Sequence, residues 1–152
     1  MNKTLNAIVR GLILLGMLIG LGMLILIALN KLPGGGTAYV WLNGSPAWMG
    51  AVSAALAALA VLCGEYIAYK LWRMMRSLEE DPFVRGNVRA LRAMGIAALL
   101  MGALGLLTLC FRPVPLLVVG ALPICMCGLF SLVLSGVFAR AVAYKEETDL
   151  TV

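Results

Sequence analysis

The sequence predicts an all-α polytopic membrane protein, a bundle of four transmembrane helices with a short cytoplasmic amphipathic helix. Of its 152 residues, 62% are hydrophobic and only 12% are charged, whereas roughly a quarter are charged in a soluble domain. The mean hydropathy is +1.01. The apolar residues form four runs that can each cross a hydrocarbon core of about 30 Å, and most basic residues fall on one side of those runs.

We expect residues 1–152 to form one domain, with spans at about 8–29, 47–72, 92–111 and 114–139. These runs do not alternate in polarity as the strands of a membrane barrel do. Lys3 and Arg10 precede the first run, as in a signal peptide. However, the run from Gly11 to Leu29 is longer than a signal core of about 7 to 15 residues. We therefore expect it to be retained as a helix.

The positions of Lys and Arg predict the orientation. Ten of the 12 basic residues fall on the side of both termini and of the segment between the second and third spans, and two, Lys31 and Arg112, fall on the other side. Because cytoplasmic loops carry an excess of Lys and Arg, we expect both termini to be cytoplasmic. Trp41 and Trp48 then mark the outer aromatic belt, and Trp72 marks the inner one.

The composition excludes much of catalytic chemistry. There is no histidine, and so no Ser–His or Cys–His pair and no imidazole metal ligand. The cysteines are Cys63, Cys110, Cys125 and Cys127, all within spans and without Cys-x-x-Cys spacing. We expect no catalytic residue, cofactor or metal site, with a Cu(I) site or a thiol oxidoreductase as alternatives. The basic residues border apolar spans, so we expect anionic headgroups rather than nucleic acid as their partners.

Glu65, with Tyr66 and Tyr69, supplies the polar candidates inside a span. An intramembrane carboxylate is costly and is a functional candidate by default. Glu65 is then an ion or proton site if the protein is a small transporter or channel subunit that acts as an oligomer. In the structural alternative, Glu65 stays neutral or pairs with Lys70, Arg73 or a Tyr hydroxyl and fixes helix geometry. In either case we expect it to face the bundle interior.

The segment between the second and third spans predicts a short basic amphipathic helix that runs into the third span. Asp81 can cap a helix that begins at Pro82, and apolar residues then repeat at helical spacing beside a stripe of arginines. We expect lipid headgroups or a cytoplasmic docking partner to contact Arg73, Arg76, Asp81, Arg85, Asn87, Arg89 and Arg92. The charge pattern fits both kinds of partner.

Small residues indicate where the helices approach one another. Close backbone contact drives helix association in lipid, and such faces are offered by Gly16-x-x-x-Gly20, Ala98-x-x-x-Gly102 and Ser131-x-x-x-Ser135. We expect these faces to pack within one chain, and the oligomeric state stays open. Pro123, inside the fourth span, removes a backbone hydrogen bond and predicts a kink.

The chain also resembles a bacterial family of small four-span membrane proteins known as domain of unknown function 2975. The resemblance is carried by Asp81-Pro82-Phe83, Asn87, Leu91, Arg92, Phe138-Ala139-Arg140 and the tail from Glu147 to Val152. It extends over the whole chain in length and span order, and the tail departs at Thr148, where the family more often has Asn.

The resemblance implies a bacterial inner membrane location and a small Cro/CI-like helix-turn-helix regulator as the cytoplasmic partner, and it transfers no catalytic residue. We therefore expect a non-enzymatic regulatory or partner-binding protein, with the transporter or channel subunit as the alternative. The acidic run Glu79-Glu80-Asp81, the arginine stripe and the tail after Arg140 would form the docking surface.

Overall fold

The computed structural model describes residues 3–29, 47–77, 84–111 and 115–150. Within these ranges the chain forms four helices and no strand: α1 (Lys3–Ala28), α2 (Ala47–Ser77), α3 (Arg85–Phe111) and α4 (Pro115–Leu150). Each helix is long and apolar enough to cross a membrane. The prediction of an all-α fold with four spans is confirmed.

All four helices extend beyond their predicted spans. α1 begins at Lys3 rather than at residue 8, and α3 begins at Arg85 rather than at residue 92. α2 continues past residue 72 to Ser77, and α4 continues from the predicted end at residue 139 to Leu150. α4 also runs through Pro123 as one helix, because other groups can satisfy the freed carbonyl in a transmembrane helix. The charged residues after Arg140 therefore belong to a helix.

The segment predicted as a short amphipathic helix running into the third span is, from residue 85 onward, continuous with that span. Residues 85–92 form the first two turns of α3. Near its start the backbone N–H of Asn87 donates a hydrogen bond to the Val84 carbonyl over 2.9 Å. The predicted cap at Asp81 and first residue at Pro82 lie outside the described residues.

The helices pack in chain order. α3 packs most extensively with α4, α2 packs with α3, and α1 contacts α2 alone within the described ranges. They form a row with α1 and α4 at its edges, which is more open than the predicted bundle. Lipid solvates apolar side chains as well as a neighbouring helix does, so no hydrophobic force closes the row. Large side chains such as Leu18, Val119 and Phe130 accordingly face outward.

Glycines set the closest helix contact, between α3 and α4. A Cβ added at Gly95 would lie 2.9 Å from the Gly128 carbonyl oxygen, and one added at Gly128 would lie 3.0 Å from the Gly95 carbonyl oxygen. One added at Gly102 would lie 3.2 Å from the Ala121 carbonyl oxygen. These backbones approach where side chains are missing. Gly102 belongs to the predicted Ala98-x-x-x-Gly102 face, whereas Gly95 and Gly128 lie outside the predicted faces.

The antiparallel order gives the row two unlike ends. The end of α2, the start of α3 and the end of α4 lie together at what we call the charged end. At the opposite end, Trp48 of α2 and Phe111 of α3 meet edge to face, with ring centroids 6.4 Å apart. This places Trp48 at an apolar end of the row, while Trp41 lies outside the described residues.

Candidate docking and headgroup site at the charged end

A cleft of about 660 Å³ opens between the end of α2 and the start of α3. Its charged lining residues are Lys70, Arg73 and Arg76 of α2 and Arg89 of α3. Asn87 also lines it and is only 3% exposed. We call this group of five residues the basic cleft. Like charges gathered around one concave surface attract anions.

Local sequence explains why these side chains meet. On α2, residues 70 and 73 are three apart and share a helix face, and on α3 residues 86 and 89 have the same relation. The antiparallel arrangement brings those two faces together at the charged end. The packing of α2 on α3 is therefore enough to assemble the basic cleft.

A second polar contact joins the start of α3 to the end of α4. The Arg85 guanidinium donates two hydrogen bonds to the Glu146 carboxylate, from Nε to Oε1 over 2.8 Å and from Nη2 to Oε2 over 2.5 Å. Both groups lie beyond the apolar runs of their helices. The hydrogen bonds from Arg85 hold the pKa of the Glu146 carboxyl below its usual value. Because both side chains are well exposed, the pair fixes geometry more than it adds stability.

The end of α4 beyond residue 139 has an inner and an outer face. Val142 is 4% exposed, and with Ala143 and Glu146 it lines a shallow groove against Arg85 and Val88 of α3. Tyr144 points away from the row and is 70% exposed, and Glu147 is exposed too. We call the segment from Arg140 to Thr148 the α4 extension.

The predicted intramembrane candidates occupy different surroundings. A Cβ added at Gly20 would lie 1.9 Å from Glu65 Oε1, so the Glu65 carboxyl is packed against the bare backbone of α1. The Lys70 ammonium lies over the Tyr66 ring, with Nζ 5.3 Å from the ring centroid. Glu65 lies at the α1–α2 contact, whereas Tyr69, one turn further along α2, is exposed.

The arginine stripe of α3 is divided among three environments. Arg85 pairs with Glu146 of α4. Arg89 lines both the basic cleft and the groove against the α4 extension, and Arg92 is exposed. Arg73 and Arg76 join Arg89, while Asp81 lies outside the described residues. Sequence reasoning missed Glu146, whose partner is 61 positions away and is signalled by no local pattern.

Four hydroxyl groups of the apolar segments donate to backbone carbonyls. Ser53 of α2 donates to Gly50 over 2.9 Å. Ser131 of α4 donates across the helix contact to Leu91 of α3 over 2.9 Å. Thr108 and Ser135 donate within their own helices, to Leu104 and Leu132. Ser131 lies between α3 and α4, and Glu65 lies against α1, so these polar groups do not line one pathway of the kind that ion conduction requires.

The four cysteines are free thiols. Within the described ranges, no three His, Cys, Asp or Glu side chains gather where they could hold a metal ion. Cys125 instead lies against Gly102 of α3. A Cβ added at Gly102 would lie 2.2 Å from the Cys125 Sγ. The structure therefore gives Cys125 a packing role.

No curated protein and no solved structure matches the chain. The family described as "Protein of unknown function (DUF2975)" matches residues 37–152. The match includes α2, α3, α4 and the whole charged site between them, whereas α1 lies before it, so it is shorter than the whole-chain resemblance we expected. The chain belongs to the DUF2975 family of proteins of unknown function.

Proposed function

We propose that this protein is a non-enzymatic membrane protein that docks a cytoplasmic protein at its charged end. The observation that supports the proposal best is the α4 extension. It is a continuous helix held on α3 by Val142 and by the Arg85–Glu146 ion pair. A surface that is already ordered loses less entropy on binding than a flexible tail.

Tyr144 is the proposed anchor of the docking surface. It is 70% exposed on the outer face of the α4 extension, and aromatic side chains with few rotatable bonds are enriched among the residues that dominate interfaces. Arg140 and Glu147 flank it with opposite charges. A protein surface can match this alternation of signs, and complementary charge selects the partner.

In this proposal the charged end lies in the cytoplasm of a bacterium, at its inner membrane. The support is the distribution of Lys and Arg, ten of 12 on that side. The partner class we propose is a small helix-turn-helix regulator, as the family resemblance implies. Docking would hold such a regulator at the membrane and thereby control its access to DNA.

Site-specific photo-crosslinking tests the proposal. A photoreactive phenylalanine analogue replaces Tyr144 in the full chain in native membranes, and a matched control replaces Phe130, which is also exposed but lies within the apolar part of α4. We expect the Tyr144 position to give an adduct with a helix-turn-helix protein, identified by mass spectrometry. We expect the Phe130 position to give lipid adducts alone.

The ion pair provides a second comparison. Arg85→Gln in the Tyr144 crosslinking protein should lower the adduct yield, because the α4 extension loses a contact that orients it. Arg92→Gln removes the same charge from an exposed position of α3 and should leave the yield unchanged. Equal adducts at positions 144 and 130, or no protein adduct at position 144, would overturn the docking proposal.

A further inference from the structure

We propose that the face shared by α2 and α3 is a binding groove for one anionic phospholipid, with the phosphate in the basic cleft and an acyl chain along the apolar surface beyond it. This inference does not depend on protein docking, which concerns the α4 extension. It rests on two concave surfaces that lie in one line on the same pair of helices.

The basic cleft has the chemistry of a phosphate site. Lys70, Arg73, Arg76 and Arg89 place four cations around a volume of about 660 Å³. Arg guanidinium groups bind phosphate through paired N–H donors, and Lys adds a point charge. Gly86 lines the cleft in the first turn of α3, where free backbone N–H groups and the helix dipole favour an anion.

The apolar surface continues directly from the cleft. A groove of about 490 Å³ lies between α2 and α3. Its lining is Leu59, Leu62, Cys63 and Tyr66 from α2 and Ala93, Ile96, Ala97 and Leu100 from α3. The two helices supply no charged side chain to it. An acyl chain needs such a surface.

The register shows that the cleft and the groove form one feature. On α2, residues 59, 62, 66, 70 and 73 follow one another at steps of three or four. On α3, residues 86, 89, 93, 96 and 100 do the same. Such steps keep to one helix face. Lys70, over the Tyr66 ring, joins the polar part of the groove to the apolar part.

The length of the feature fits one lipid leaflet. From Leu59 to Arg73 the axis of α2 advances about 21 Å at about 1.5 Å per residue. Half of a bilayer of roughly 40 to 45 Å, headgroups included, is similar. A soluble phosphate compound would use the basic cleft but would leave the apolar groove unfilled, so the combination favours a phospholipid.

Native mass spectrometry of the full chain in detergent tests this inference. The probes are phosphatidylglycerol and phosphatidylcholine with identical acyl chains, and the measured quantity is the dissociation constant of the first lipid bound. We expect phosphatidylglycerol to bind the wild type on the order of tenfold more tightly, since each basic side chain near an anionic headgroup adds to the attraction. Equal binding of the two lipids would overturn the proposal.

A charge-matched pair of variants locates the site. Arg73→Gln with Arg89→Gln removes two cations from the basic cleft, and Arg92→Gln with Arg140→Gln removes two exposed cations that do not line it. We expect the cleft variant to lose the preference for phosphatidylglycerol and the control variant to keep it, with equal helical content by circular dichroism. An equal loss of this preference in both variants would mean that phosphatidylglycerol is attracted by surface charge in general, and it would overturn the proposed binding groove.

A third arm separates lipid from soluble phosphate. Glycerol phosphate carries the same phosphoryl group without acyl chains, and we expect it not to displace phosphatidylglycerol at equal concentration. Ala93→Leu, which narrows the apolar groove, should weaken phosphatidylglycerol binding while the Arg92→Gln/Arg140→Gln control retains it. Displacement by glycerol phosphate, or full binding by Ala93→Leu, would contradict the acyl-chain half of the proposal.

Discussion

Gly20 and Glu65 join the edge helix α1 to the rest of the row. The Glu65 carboxyl occupies the space that a side chain at position 20 would need. α1 contacts α2 alone in the described parts of the chain. We therefore expect the Gly20–Glu65 contact to contribute to the association of α1 with the other helices. Gly16, one turn earlier on α1, meets nothing within 4 Å.

We therefore predict that Gly20→Leu weakens the association of α1 with α2 and that Gly16→Leu does not. Overpacking of a formed contact costs about 1 to 3 kcal/mol, and the measurement is the unfolding midpoint in a detergent-to-SDS titration. Adding Glu65→Ala to Gly20→Leu should recover most of the loss, because it vacates the space that Leu needs. Equal effects at positions 16 and 20, or no recovery, would contradict the contact.

Sequence reasoning at this scale found residues but not their partners. The cost of a carboxylate in a span singled out Glu65, and the spacing of Gly16 and Gly20 suggested a packing face. Which of the two glycines meets α2 depends on the rotation of α1 about its axis, which a helix of nearly uniform hydrophobicity does not encode. Glu146 was missed for a related reason, since no local pattern links it to Arg85.

At the scale of helix pairs, α3 and α4 form the closest contact, through Gly95 and Gly128. We predict that Gly95→Ala destabilises the protein, because its Cβ would meet the Gly128 carbonyl oxygen at 2.9 Å. The cost of overpacking, about 1 to 3 kcal/mol, exceeds the gain of up to about 1 kcal/mol from helix propensity.

Gly136→Ala is the matched control for Gly95→Ala. Gly136 lies inside α4 and meets nothing within 4 Å, so the variant should keep only the gain in helix propensity. The free energy of unfolding in detergent, measured by SDS titration, should fall for Gly95→Ala and rise slightly for Gly136→Ala. A rise in both would show that α3 and α4 are not in backbone contact at Gly95.

The α4 extension yields a prediction about order rather than global stability. Arg85→Glu should increase amide hydrogen exchange over residues 141–150, because it replaces the Arg85–Glu146 ion pair by repulsion. Adding Glu146→Arg should restore protection by re-forming the pair with reversed charges. Unchanged exchange in Arg85→Glu, or no restoration by the double substitution, would show that the pair does not orient the extension.

The number and type of the helices could be predicted accurately from the sequence. The residues at which the helices begin and end could not. Long apolar runs identify spans because unpaired backbone groups are excluded from lipid. This constraint does not apply in water, which can bond to free backbone groups, so it does not predict where a helix ends outside the membrane. α4 extends past residue 139, and α3 begins at Arg85, seven residues before the predicted start of its span.

For the whole molecule, the sequence indicated the number of spans but not how the helices are arranged, and the sidedness of the spans stays a prediction. Lys and Arg counts depend on which loop a residue occupies, and that is readable from chain order. Whether α1 returns to contact α4 depends on side-chain packing among distant helices, and here it does not. The basic cleft was accordingly predicted as a set of basic residues and not as a concave site.

The central claim, that the charged end faces the cytoplasm, is tested most directly by cysteine labelling of intact cells. In a background with the four native cysteines replaced by alanine, single cysteines are introduced at Ser77, at the end of α2, and at Ser45, in the connection between α1 and α2. We expect an impermeant maleimide to label position 45 in intact cells and to label position 77 only after the membrane is opened. Labelling of position 77 but not of position 45 in intact cells would contradict the claim.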